Sequence, residues 1–198
     1  MKNVVTVCLL LLMLASSAHS DLIVNGDFES GPNYPGLIYQ AHEGSTEITG
    51  WVVTRNTVEY CNLDEAFADG RYIDLDASPG AGGLAQTFQT SPGQVYEVSF
   101  ELYGISHPSG PDMKHLGITV AGHPFEYFFD TTINHNLLWD KHSFVFTATD
   151  ITSTLEFYSL DPETSYCGPL IDNVTVEAVP EPATLLLIGI GGLILRKR

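Results

Sequence analysis

The sequence predicts an all-β fold of two packed sheets, and three observations predict it. Short apolar runs alternate with polar residues at a period of two, Gly, Pro, Asn and Asp separate them, and no helical period of 3.6 is sustained between the two ends of the chain. Strands without interleaved helices bury their apolar faces by stacking sheet on sheet.

The expected strands are Leu22–Val24, Trp51–Arg55, Tyr72–Leu75, Leu84–Gln89, Val95–Tyr103, Leu116–Val120, Glu126–Asp130, Lys141–Thr147, Thr154–Leu160 and Leu170–Val176. Ser78-Pro79-Gly80, Ser91-Pro92-Gly93, His107 to Pro111 and Ala121 to Pro124 supply the turns between them. Alternation sorts the faces. Tyr96, Val98, Phe100 and Leu102 share one side of their strand, against Glu97, Ser99, Glu101 and Tyr103 on the other. Phe144 and Phe146 point inward in the same way, as do Leu155 and Phe157. In the last strand Leu170, Asp172, Val174 and Val176 share parity, which predicts an acid on the apolar side. Such a carboxylate needs a cation, an ion pair or backbone donors.

Both ends of the chain read as address segments rather than fold. Lys2 precedes the apolar run Val4–Leu14, and the small residues Ala15 to Ser20 follow it, the pattern of a cleaved signal peptide read by signal peptidase. The cut is expected near Ala18 to Ser20, with a mature start close to Asp21. The run is too short to span a bilayer, which takes about 20 apolar residues. Cys8 lies inside it and not at the junction, so a lipidated start is not expected. The expected organisation is a leader at 1–20, one domain at 21–178 and a tail at 179–198.

The whole chain carries a formal charge of −16. Removing Lys2, Arg196, Lys197, Arg198 and Glu181 leaves four basic residues (Arg55, Arg71, Lys114 and Lys141) against 23 acids, a net charge of −19. Phosphate backbones repel such a surface, so nucleic acid is an unfavourable partner. Cys61 and Cys167 survive maturation, and export permits a disulfide between them. Closing a loop of that length stabilises by about 4 kcal/mol on the chain-entropy model; two buried thiols are the alternative.

The tail begins at Val179-Pro180-Glu181-Pro182, where two prolines end any ladder. Leu185–Leu195 is then wholly apolar or Gly, and Arg196-Lys197-Arg198 follows as a basic stop that holds its end cytoplasmic. Pro180-Glu181-Pro182, the short apolar segment and the basic cluster, in that order, resemble the PEP-CTERM sorting signal. That resemblance implies a transient inner-membrane stage, cleavage by an exosortase near the Pro-Glu-Pro motif, and release to the envelope, surface or extracellular matrix.

A second resemblance runs through the domain. Leu22 to Gly31 (with Asn25-Gly26-Asp27-Phe28-Glu29), Gly50-Trp51, Gln86-Thr87-Phe88, Pro92 to Tyr96 and Gly168 to Val174 occur in order. This pattern resembles the galactose-binding-like jelly-roll group, in particular the choice-of-anchor C domains and related plant cell-wall proteins, and more distantly several carbohydrate-binding modules. The resemblance implies a structural calcium shared by the first and last strands, with Glu29 and Asp172 as ligands and Asp27 or a carbonyl near Asn25 assisting. Hydrogen bonds from turn backbone to Glu29 and Asp172 are the other reading.

A sugar platform needs an exposed ring beside polar groups. Tyr103 is the first candidate, on the polar face with Ser99 and Glu101, followed by Tyr60 and Tyr158. Trp51 and Trp139 are expected to pack in the core. Enzyme signals are weak. The acid pair Asp74/Asp76 sits at i, i+2, and a glycosidase needs two carboxyls across a cleft. The six mature histidines show no metal-ligand spacing, and neither a nucleophile elbow nor a phosphate-binding glycine loop is present. The sequence therefore points to a non-catalytic exported module associated with extracellular polysaccharide. An adhesive matrix component without a small ligand is the alternative, and a polysaccharide-active enzyme a weaker one.

Overall fold

The computed structural model describes residues 20–62, 70–77, 80–108, 110–133, 138–162 and 166–180. The leader lies outside the described residues, as does the tail with Glu181, Pro182, Arg196, Lys197 and Arg198. Among the residues described, no helix is long and apolar enough to cross a membrane.

The described chain forms β1 (Ile38–His42), β2 (Val52–Arg55), β3 (Thr57–Cys61), β4 (Tyr72–Asp74), β5 (Gly83–Gln89), β6 (Val95–Gly104), β7 (Met113–Val120), β8 (His123–Asp130), β9 (Asp140–Thr147), β10 (Thr152–Ser159) and β11 (Pro169–Ala178). A six-stranded sheet runs β1-β3-β4-β11-β6-β9, and a five-stranded sheet runs β2-β5-β10-β7-β8. The expected alternation places the core between them. Tyr96, Val98, Phe100 and Leu102 of β6, Leu116, Ile118 and Val120 of β7, and Leu155 and Phe157 of β10 are all buried. Each such side chain contributes roughly 1.5–3 kcal/mol on leaving water. Trp51 joins them, packed on Phe28 and Phe157 at centroid distances of 5.3 and 6.4 Å.

Two strands escaped the pattern reading. β2 and β3 are separated by Asn56 alone, which turns at a φ of 38° and carries the chain from one sheet to the other. With no Gly or Pro signal there, β3 is hidden, although Val58 and Tyr60 alternate with Thr57 and Glu59. β1 pairs with β3 and was likewise unread.

The opening segment, expected as strand Leu22–Val24, docks without forming a regular strand. Leu22 N–H donates to the Val176 carbonyl at 2.9 Å, and Val174 N–H donates to the Gly26 carbonyl at 2.9 Å. The Gln86 side-chain amide substitutes for a ladder, accepting from Val24 N–H at 2.7 Å and donating to the Val24 carbonyl at 2.9 Å. A Cβ at Gly26 would fall 1.8 Å from the Val174 oxygen, so only glycine lets this segment lie against β11. Asn25, at a φ of 57°, donates from its amide to the carbonyls of Ser30 and Thr49 at 2.7 and 2.9 Å, and its own carbonyl accepts from the Trp51 indole at 3.0 Å. The Asn25-Gly26 and Gly50-Trp51 motifs thus tie one structural knot.

The parity placing Asp172 on the core side is corrected. Asp172 pairs with Glu101 and Thr175 with Ser99, so β11 carries one residue more than β6 in this interval. The bulge centres on Asn173, at a φ of 50°. Residues directly opposite share a face. Ile171 is therefore inward with Leu102, Asp172 outward with Glu101, and Val176 inward again with Val98. A period-two count cannot see the inserted residue.

Candidate functional site

The outward face of the six-stranded sheet has a covered half and an open half. Over β6, β9 and the end of β11 it is open, forming a groove of about 590 Å³. Its walls are side chains held in register by the ladder. Ser99 stands between Thr175 and Ser143, and Glu101 between Asp172 and Lys141. Glu101 is fixed at both oxygens, by the Lys141 ammonium at 2.9 Å and the Asn173 amide at 3.1 Å. The groove thus presents hydroxyls, an amide, a carboxylate and an ammonium from rigid strands, with donors and acceptors alternating within two rows.

Over β3, β4 and the start of β11 the same face is covered. Cys61, Tyr72, Asp74, Leu170 and Asp172 share its outward parity with Glu101, yet all are buried. Burial pushes the Asp74 carboxyl up to about 7, although Gly168 N–H and Asp76 N–H both donate to its Oδ1 at 2.9 Å and hold it down in part. Asp172 is also pushed to about 7 by burial; Asn173 N–H, donating at 2.7 Å, opposes this, while Glu101, Glu29 and Asp27 add to it. The structure thus brings the three acids expected as calcium ligands into one electrostatic neighbourhood, with Glu101 as a fourth.

Hard oxygen donors suit calcium, but the placement does not form a cage. Glu29 Oε1 accepts from Arg71 N–H at 2.7 Å, and Glu29 and Asp27 are exposed where Asp172 is buried. Among the described residues, no group of three or more His, Cys, Asp or Glu is placed to hold a metal ion. Glu29 and Asp172 instead accept from backbone.

Cys61 and Cys167 both lie beside Asp74, but as thiols; the expected disulfide is not formed in this structure. Cys61 Sγ turns toward the Glu59 carbonyl of its own strand, at 3.7 Å. Burial pushes both thiols up. Nearby, Lys114, counted from the sequence as a surface cation, is fully buried and donates from Nζ to the Cys167 carbonyl at 2.5 Å. The signal was present in its parity with Leu116, Ile118 and Val120; the strand begins at Met113, earlier than the expected Leu116.

The tyrosines expected as platforms are placed otherwise. Tyr103 is buried, with Phe129 and Trp139 against it at 5.0 and 5.5 Å. Tyr60 is buried on the core side and donates to the Phe28 carbonyl at 2.7 Å. Tyr158 does face outward, half-buried on the five-stranded sheet, with its ring packed on Gly117 and Arg55. The nearest ring atom lies 2.3 Å from where a Cβ on Gly117 would stand, and the Arg55 guanidinium sits over the ring at 3.6 Å from the centroid. Glu156 fixes that guanidinium through two hydrogen bonds, at 2.9 and 3.0 Å. Trp139, expected in the core, is half-buried beside Tyr103 and Tyr72.

Several solved structures are similar to this chain. An arabinose-bound α-L-arabinofuranosidase is 10% identical with a TM-score of 0.51, over 80% of this chain and 26% of the other. A protein titled TmCBM61, solved with β-1,4-galactotriose, is 15% identical with a TM-score of 0.48, over 81% and 99% of the two chains. A CBM35 from Paenibacillus barcinonensis is 20% identical with a TM-score of 0.45, over 73% and 100%. The fold is an all-β jelly-roll sandwich. No curated protein matches the sequence. Residues 178–198 match the PEP-CTERM protein-sorting motif, a mark of exported envelope or surface proteins. Residues 21–177, nearly all of the described chain, match the family described as "Protein of unknown function (DUF642)", and the chain belongs to that family.

Proposed function

We propose that the chain is an exported, exosortase-processed protein whose domain holds extracellular polysaccharide without catalysis, in the groove over β6, β9 and β11. The observation that carries this reading is the groove's lining. Ser99, Ser143, Thr175, Asn173, Glu101 and Lys141 offer alternating donors and acceptors on a preorganised sheet, as vicinal sugar hydroxyls require. Strands that need no rearrangement lower the cost of ordering a weakly held chain. Retention on insoluble polysaccharides and on a glycan array tests it. Glu101→Ala is expected to weaken retention about ten-fold, a hydrogen bond to a charged group contributing roughly 1.5–3 kcal/mol. Binding to no glycan at all would sink the reading.

A second reading, an adhesive matrix component without a small ligand, is favoured by one observation. Tyr60 and Tyr103 are buried and the Arg55 guanidinium lies over the Tyr158 ring, which leaves little aromatic surface among the three for a sugar to stack on. Matrix association without retention on any glycan is the outcome that selects it.

A further inference from the structure

The two processed ends of the domain meet at one pole of the sandwich. Ser20 and Leu22 lie with Ala178, Val179 and Pro180 around a second groove of about 400 Å³, completed by the β5–β6 turn. Both ends are fastened to the same strand region. Leu22 N–H donates to the Val176 carbonyl, and Val176 N–H donates to Asp21 Oδ1 at 2.9 Å. Val179 is held on both sides of its peptide: its N–H donates to the Val95 carbonyl at 2.9 Å, and its carbonyl accepts from the Gln94 amide at 2.7 Å. Val179, so held, immediately precedes Pro180-Glu181-Pro182. From Pro180 to the apolar run at Leu185 the chain spans at most about 17 Å when fully extended. Cleavage at this motif has to take place against the folded body, not on a free stalk.

The lining of this groove bears on what sits there. In a chain of net charge −16, none of the side chains that line it is charged, and the exposed Asp21 between Ser20 and Leu22 places one carboxylate at its rim. Gln89, Ser91 and Gln94 present neutral polar groups, and Tyr96 donates no charge while its hydroxyl accepts from Ser91 N–H at 2.9 Å. A groove lined without charge is the part of an acidic domain that can approach an anionic leaflet with the least repulsion.

We propose that this groove faces the membrane and is the docking surface for the membrane protease that removes the tail, so that the enzyme reads the folded pole together with the Pro-Glu-Pro motif. The inference rests on the processing half of the function proposed above. Docking and cleavage are then coupled through a short rigid connection, and a flexible insert between them dilutes the coupling.

The test uses the full chain in a host carrying the protease, following loss of the tail by pulse-chase and mass of the product. A Gly/Ser insert of about ten residues between Val179 and Pro180, with an r.m.s. span of roughly 17 Å, is expected to slow processing by about five-fold or more. Ser91→Glu is expected to do the same with an unchanged melting temperature, whereas Met113→Glu, at the start of β7 and away from this groove, leaves the rate alone. An insert processed at the wild-type rate or faster overturns the proposal, since a protease reading only the tail gains from a longer stalk. Replacing Pro180, Glu181 and Pro182 together by alanine separates the two readings. Wild type cleaved no more than this variant refutes processing itself, and the docking surface with it.

Discussion

The two halves of the six-stranded sheet share one pleat and one set of hydrogen-bond ladders, yet their outward faces differ completely. Over β6 and β9, Ser99, Glu101, Lys141 and Ser143 meet solvent in an open groove; over β3, β4 and the start of β11, Cys61, Tyr72, Asp74 and Leu170 are as buried as the central core. The difference teaches that a strand's polar face is a property of what lies over it. Where the face is covered, the sheet carries a second apolar layer, and the acids caught there are lifted toward neutrality. Where it is open, the same alternation yields hydrogen-bonding groups on a rigid base.

Mutation breaks this comparison most sharply. Leu170→Ala in the covered half is expected to destabilise by about 2–5 kcal/mol, as for a core leucine, and Ser143→Ala in the open half to stay within about 0.5 kcal/mol. Urea denaturation of both measures the contrast; a Leu170→Ala loss of less than about 1 kcal/mol would mean the cover is not a core.

A smaller effect comes from pH. Asp74 and Asp172 are held near 7 in the fold and return to the ordinary value of 3.8 on unfolding. Between these values the folded state binds more protons than the unfolded one, so stability is greatest below about pH 4 for these groups and falls as pH rises through 7. The melting temperature is expected to be lower at pH 8 than at pH 5, by roughly 2–4 °C for each kcal/mol lost. Asp74→Asn keeps an oxygen for Gly168 N–H and Asp76 N–H and should flatten the dependence; an equal slope in the variant assigns it elsewhere.

Calcium should give the smallest effect. Diffuse neutralisation of Asp27, Glu29, Glu101 and Asp172 with a Kd near the applied concentration contributes about 0.4 kcal/mol, on the order of 1 °C. A chelator-sensitive shift of roughly 10 °C would instead reveal a rearranged cage.

Much of the sandwich was legible because alternation records burial directly. The inward faces of β6 and β10 follow from period two alone. The failures occur where a single residue changes the count. Asn56 moves the chain between sheets in a single residue without Gly or Pro, and the Asn173 bulge reverses the face of Asp172. Of the candidate site, Glu101 and Ser99 were read onto the polar face, but Tyr103 beside them was misjudged because Phe129 and Trp139, distant in sequence, close over it.

By itself, then, the sequence determined the C-terminal sorting motif, the all-β architecture and the core faces of β6, β9 and β10, because motif composition and alternation are local properties of the chain. Only the tertiary structure decided which outward face is open, which acids are buried, and that the two ends of the domain share one pole. Each of these depends on contacts between segments far apart in the chain, and no local pattern encodes what will lie on top.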